Sequence, residues 1–208
     1  MTLVKICGIT NLEDALASAE AGADMLGFNF YPPSKRYIEP QVARQIIDQL
    51  PKGLATMGVF VNEESPERVV DIASVAGVSG LQLHGDESAD YCRFLSGFYV
   101  VKTLAVGDDF EPKDALAYSV NAIMLDAKDD LLRGGTGRNV DWTIARRVSE
   151  QGTKVFLAGG LSPNNVSAAI LHACPYAVDS CSALEDAPGK KNHDRVREFV
   201  KRAHDVKP

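Results

Sequence analysis

A chain of 208 residues, 45% hydrophobic and 24% charged, can bury one sizeable core, and we read residues 1–208 as a single domain. A net charge of −6 and a pI near 5.2 argue against a nucleic-acid binder, which needs a basic face to displace phosphate counterions. No run approaches the roughly 18 consecutive apolar residues of a membrane span, and no basic segment with an apolar signal core opens the chain. The expectation is therefore a cytoplasmic protein with a small-molecule partner, bound to neither nucleic acid nor membrane.

Short apolar runs alternate with stretches of helical periodicity. In chain order the predicted strands are Leu3–Cys7, Met25–Phe30, Ala55–Val61, Gly80–His84, Tyr99–Leu104, Ala122–Asp126, Lys154–Ala158 and Tyr176–Asp179. The helices between and after them are Leu12–Ala21, Pro40–Leu50, Pro66–Ala76, Ser88–Leu95, Pro112–Tyr118, Trp142–Gln151, Pro163–His172 and Asp194–Ala203. Thr10-Asn11, Ser65-Pro66 and Ser162-Pro163 are start signals: each offers a side-chain acceptor for free amides, and in the last two a proline loses nothing at the first turn. Eight βα units with strands apolar along most of their length suit an α/β fold, a single (βα)8 TIM barrel of eight parallel strands. An open doubly wound sheet is the structural alternative. The three longest connections, Tyr31–Glu39, Ala127–Asp141 and Ser180–His193, all follow strands, which in a barrel puts them on the catalytic face.

Two strand ends carry groups suited to proton transfer. Cys7 ends the first strand before Gly8, where a thiol is either a base at the barrel mouth or a small core hydrophobe. Asp126 brings a carboxylate out of the apolar run Met124-Leu125, and a charge there needs compensation, so it is either a candidate acid or a cap. Arg36, in the proline-stiffened loop Tyr31–Tyr37, is either a fork for a carboxylate or a solvated surface charge. Gln82 and His84 share one side of the fourth strand, because side chains alternate, and His84 is a binding or a structural histidine.

Three segments could admit a phosphate: 134–137 (with Gly135), 158–162 (with Gly159 and Gly160) and Asp179-Ser180-Cys181-Ser182-Ala183. Loops after strands 7 and 8 commonly aim amides and a short helix N-terminus at phosphate, and glycine permits the approach. Cys7, Cys92, Cys174 and Cys181 form no C-x-x-C pair and match no histidine cluster, so free thiols are expected rather than zinc or a disulfide framework. From residues alone the reading is proton-transfer chemistry on a phosphorylated substrate, with the substrate unnamed.

Five motifs at successive strand ends carry a resemblance: Lys5-Ile6-Cys7-Gly8-Ile9-Thr10, the run Phe30–Ile38, Leu81-Gln82-Leu83-His84-Gly85, Gly134-Gly135-Thr136-Gly137 and Ala158-Gly159-Gly160-Leu161. The chain resembles phosphoribosylanthranilate isomerase from end to end. That family's fold is a minimal (βα)8 barrel without cofactor or metal. The resemblance implies an Amadori rearrangement of N-(5-phosphoribosyl)anthranilate in tryptophan biosynthesis, with Cys7 as general base and Asp126 as general acid. It also implies Arg36 on the anthranilate carboxylate, amides near Gly160 and Ser182 on the phosphate, and a monomer or homodimer. This chemistry asks for a carboxyl kept protonated near neutrality and a thiol below its usual value of about 8.5.

One departure stands out. Where the family reads Asp, any residue, Ser-Ser-Gly, an apolar residue and Glu, this chain has Asp179-Ser180-Cys181-Ser182-Ala183-Leu184-Glu185. If the glycine position needs positive φ or close phosphate approach, alanine costs about 1 kcal/mol or more there. Two other readings compete: a barrel isomerase serving both tryptophan and histidine pathways, which the cysteine speaks against because those enzymes use paired aspartates, and a non-catalytic phosphate-ligand binder.

Overall fold

The computed structural model describes residues 1–107, 109–127 and 141–206. Strands β1 (Leu3–Ile6), β2 (Met25–Asn29), β3 (Ala55–Phe60), β4 (Gly80–Leu83), β5 (Tyr99–Val106), β6 (Ala122–Ala127), β7 (Val155–Leu157) and β8 (Ala177–Ser180) close into one barrel in sequence order. Every neighbouring pair is parallel, and β1 pairs with β8 at Leu3↔Ala177 through Ile6↔Ser180. The fold is a (βα)8 barrel, and the doubly wound alternative falls.

Helices α1 (Leu12–Glu20), α2 (Pro40–Ile47), α3 (Pro66–Ala76), α4 (Ala89–Phe94), α5 (Trp142–Ser149), α6 (Val166–Ala173) and α7 (His193–His204) occupy the crossovers and the C-terminus. Asn11, Ser65 and Ser88 cap α1, α3 and α4 by accepting from the amides of Asp14, Arg68 and Tyr91. Two expectations are corrected. Residues Pro112–Ala117 form a 3-10 helix, not an α-helix. The helix expected from Pro163 starts at Val166, because Asn165 turns back onto the preceding loop, accepting from Ser162 N at 2.8 Å and donating to Gly160 O at 3.0 Å. A short antiparallel pair not foreseen in the sequence, β9 (Glu185–Ala187) with β10 (Lys190–Lys191), braces the connection after β8.

Alternation along the strands sorts side chains into two cores. Val4, Ile6, Leu26, Phe28, Leu81, Leu83, Ile123 and Leu125 point outward and pack under the helices. Met25, Met57, Met124, Phe156 and Ala177 fill the barrel interior, as side chains rather than solvent fill small barrels. Residues two positions beyond these interior ones come to the mouth: Asp126 beyond Met124, and Asp179 beyond Ala177. No described helix is long and apolar enough to cross a membrane.

Candidate active site

The end of β1 holds a charged cluster that hydrophobic patterning does not reveal. Lys5 is fully buried, and its Nζ lies 2.7 Å from Asp179 Oδ1, directly across the β1–β8 seam. Burial opposes the Lys5 charge, but Asp179 and Cys7 more than offset this and raise its pKa. Burial pushes Asp179 up to about 6 despite that lysine, with Cys7 and Asp126 adding to the rise. Both Lys5 and Cys7 project over Gly27 of β2, where a Cβ would stand 2.8 Å from Cys7 Sγ and 3.1 Å from Lys5 Nζ. Gly27→Ala is therefore expected to cost about 1–3 kcal/mol by overpacking and, by shifting the thiol, about 10²-fold in turnover. Denaturant unfolding and initial rates on the same preparation check both.

Across the β1–β8 seam Cys7 has a second thiol for a neighbour, Cys181, next to the Ser180 whose carbonyl accepts from Cys7 N at 3.0 Å. The hydrogen bond from Cys181 is the largest influence on Cys7, and with the charges of Lys5 and Lys191 it holds the Cys7 thiol well below the ordinary range against the cost of burial. Cys181 moves the opposite way, held protonated by the same contact and by burial. The sequence places a cysteine at strand 1 but gives no sign that a second one faces it across the seam.

Arg36 reaches this cluster. Its Nε lies 2.9 and 3.0 Å from the Glu185 carboxylate oxygens and its Nη2 2.7 Å from Oε2, so the guanidinium is held in a fork rather than left to solvent. Lys191 Nζ adds a bond to Glu185 Oε1 at 2.9 Å and one to Cys181 O at 3.3 Å. Nothing local in the sequence marks Lys191 for this site, whereas Glu185 is signalled by its place in the motif after strand 8. Burial alone would raise the Glu185 carboxyl, but Arg36 and Lys191 outweigh it and hold it below 4.5. A folded pKa below the unfolded one stabilises fully above the unfolded value and is lost as pH falls through the folded value. Glu185→Gln is expected to lower the melting temperature at neutral pH and to flatten its fall between about pH 5 and pH 3, read by melts across that range.

Across the mouth, three strands from β1 around the barrel, β6 presents Asp126. His84 Nε2 lies 3.4 Å from Asp126 Oδ2, and Gln82 Nε2 lies 2.9 Å from His84 Nδ1. An amide donating to Nδ1 fixes the tautomer that carries hydrogen on Nε2, facing the carboxylate. Gln82 and His84 share a side, as their spacing predicts; Gln82 is buried and also bonds Thr103 Oγ1 at 3.4 Å.

The glycine segments sit as follows. Gly159 and Gly160 have φ of 80° and 70°, a region that favours glycine, and Asn165 clasps the loop they begin. Ser182 and Ala183 open a 3-10 turn (Ser182–Leu184), and among the described residues their amides and that of Gly160 donate to no protein acceptor. Ala183 has no positive φ, so the strain considered for the glycine replacement does not arise. Ser180 points away from the mouth and donates to Leu161 O at 2.6 Å, tying the loops after β7 and β8 together. Gly135 and its segment lie outside the described residues. Among the described residues no His, Cys, Asp and Glu cluster could hold a metal.

A closed parallel barrel whose C-terminal rim gathers an ionisable thiol, carboxylates and an anion-ready pair of loops belongs to the phosphosugar-type barrel enzymes. A model of the N-(5'phosphoribosyl)anthranilate (PRA) isomerase family matches residues 4–202. The chain belongs to that family. It is 45% identical over 204 residues to N-(5'-phosphoribosyl)anthranilate isomerase of Thermotoga petrophila, covering 98% of each chain. It superposes on the crystal structure of phosphoribosyl anthranilate isomerase from Thermotoga maritima with a TM-score of 0.92 and 44% identity, over 99% of this chain and 100% of that one. A similar structure, with TM-score 0.88, 43% identity and the same coverage, is a phosphoribosyl anthranilate isomerase in complex with reduced 1-(o-carboxyphenylamino)-1-deoxyribulose 5-phosphate.

Proposed function

We propose that this chain catalyses the Amadori rearrangement of N-(5-phosphoribosyl)anthranilate to 1-(2-carboxyphenylamino)-1-deoxyribulose 5-phosphate in tryptophan biosynthesis, with Cys7 as general base and Asp126 as general acid. The observation that carries the reading is the placement of a thiol held toward its ionised form and a carboxylate on well-separated strands of one rim, in a member of this family. Asp126, when protonated, donates to the ribose ring oxygen; the C–O bond breaks and the furanose opens to an iminium ion. The Cys7 thiolate removes the proton from sugar carbon 2, and the electron pair released neutralises the iminium as an enolamine. Tautomerisation then gives the ketone. No redox partner is needed, because carbon 1 is reduced as carbon 2 is oxidised.

Anchors at both ends of the substrate turn binding energy into alignment. Arg36 keeps Nη1 outside its fork with Glu185, and this nitrogen meets the anthranilate carboxylate. The phosphate takes the amides of Gly160, Ser182 and Ala183, beside the helix-like turn after β8. His84 holds Asp126 in place, with Gln82 fixing its tautomer. Asp179 acts through Lys5 rather than on substrate. The competing reading as a non-catalytic binder is separated cheaply: the reduced product analogue should raise the melting temperature, and the same preparation should consume phosphoribosylanthranilate. A melting shift without consumption would favour the binder.

A further inference from the structure

The geometry points to the Cys7–Cys181 pair as a peroxide-oxidisable site, in which Cys7 is the attacking thiol and Cys181 resolves it to an intramolecular disulfide that reversibly blocks the barrel mouth.

The register supplies the juxtaposition. β1 and β8 pair Lys5 with Asp179 and Ile6 with Ser180, and Cys7 N continues the ladder by donating to Ser180 O at 3.0 Å. Cys7 and Cys181 are thus the next pair along the seam. Laterally paired residues of neighbouring strands lie about 4.8 Å apart, within the roughly 4.4–6.8 Å between Cα atoms that a disulfide spans. Side chains alternate, and the contact of Lys5 with Asp179 inside the barrel returns the residues two further on to the same interior side. On its other side Cys181 Sγ donates to Glu185 Oε1 at 3.7 Å, which holds the thiol at this seam. Cys181 Sγ also sits where a Cβ on Gly8, the residue after Cys7, would be 2.7 Å away.

Reactivity and access differ from those of the other two cysteines. Cys7 and Cys181 are partly exposed at the open end of the barrel, whereas Cys92 is buried and Cys174 lies exposed at the end of α6, away from this cluster. Lys191 Nζ is 3.7 Å from Cys181 Sγ, and Lys5 stands beneath Cys7. Cations of this kind favour thiolate, the species that attacks peroxide.

The steps balance. The Cys7 thiolate attacks one oxygen of hydrogen peroxide, an S–O bond forms as the O–O bond breaks, and hydroxide leaves; sulfur loses two electrons to the peroxide. The Cys181 sulfur then attacks the sulfenic sulfur, S–S forms as S–O breaks, and the departing hydroxide takes up the Cys181 proton as water. Two thiols and one peroxide give one disulfide and two waters, and an added dithiol reverses the change by exchange. The loss of turnover rests on Cys7 being the base; the disulfide itself does not.

The test treats substrate-free protein with a few equivalents of hydrogen peroxide, followed by intact mass and non-reducing peptide mapping, with turnover read against each sample's own reduced value. The expected result is a mass lower by two hydrogens, a peptide linking Cys7 to Cys181, and turnover reduced at least about ten-fold and restored by dithiothreitol. Cys181→Ser and Cys181→Ala, with no resolving thiol, should instead go on to sulfinic or sulfonic acid at Cys7, a gain of two or three oxygens, and fail to recover with dithiothreitol. Oxygens accumulating irreversibly at Cys7 in the wild type, or cross-links only between molecules through Cys174, would overturn the proposal. A linked peptide with undiminished turnover would leave the disulfide standing and refute Cys7 as base.

Discussion

Cys7→Ser is expected to lower kcat by about 10³-fold or more while leaving the Kd for the reduced product analogue within a few-fold of wild type. A serine hydroxyl fills nearly the same space beside Gly27 and Cys181, so the mouth keeps its shape. What changes is acidity. Cys181, Lys5 and Lys191 hold the thiol well below its ordinary range, but an alcohol starts many units higher and the same neighbours cannot offset that difference. The anchors for carboxylate and phosphate lie on other residues, so binding survives. Stopped-flow rates and calorimetric titration of one preparation separate the two quantities. A variant with near wild-type kcat would remove Cys7 from the mechanism.

Lys5→Met should be the most damaging single change to stability, about 3–5 kcal/mol at pH 8, because it leaves Asp179 buried without its counter-charge. The loss should be smaller at pH 5. In the variant the folded carboxyl sits still further above its unfolded value of 3.8 than the value of about 6 it has with Lys5 present, so the folded state binds the extra proton. Stability then falls as pH rises from the unfolded value through the folded one. Lys5 itself adds no slope there, since its raised pKa stabilises fully at any pH below 10.5. Pairing the change with Asp179→Leu should restore most of the stability, as two apolar groups replace an ion pair. Equal losses at pH 5 and pH 8 would contradict the assignment.

Strand period and the alternation rule suffice to bring Gln82 and His84 to one side and Cys7 and Asp126 to one rim, because each sits at a fixed offset from an apolar run. The ion pairs are different. Arg36 and Glu185 are 149 residues apart and Lys5 and Asp179 are 174 apart, and nothing local says which strands meet where the barrel closes. Lys5 is apolar in its burial and charged in its chemistry, so hydrophobic patterning passes over it. The hairpin Glu185–Lys191 escaped for a related reason: its strands are three and two residues long and polar, too short for a period to register. Ser162-Pro163 looks like a cap, yet the helix begins only at Val166, because the competing bonds of Asn165 to the loop are visible only in three dimensions. The substitutions at 181 and 183 also changed meaning. Ala183 brings no backbone strain, and Cys181 turns out to adjoin the proposed base.

The most direct measurement is the decay of phosphoribosylanthranilate fluorescence on adding wild type, Cys7→Ser and Asp126→Asn in parallel, each first shown folded by its melt. Rapid decay with wild type and decay at the uncatalysed rate with both variants is the predicted result. No decay with folded wild type, or wild-type decay with either variant, would contradict it.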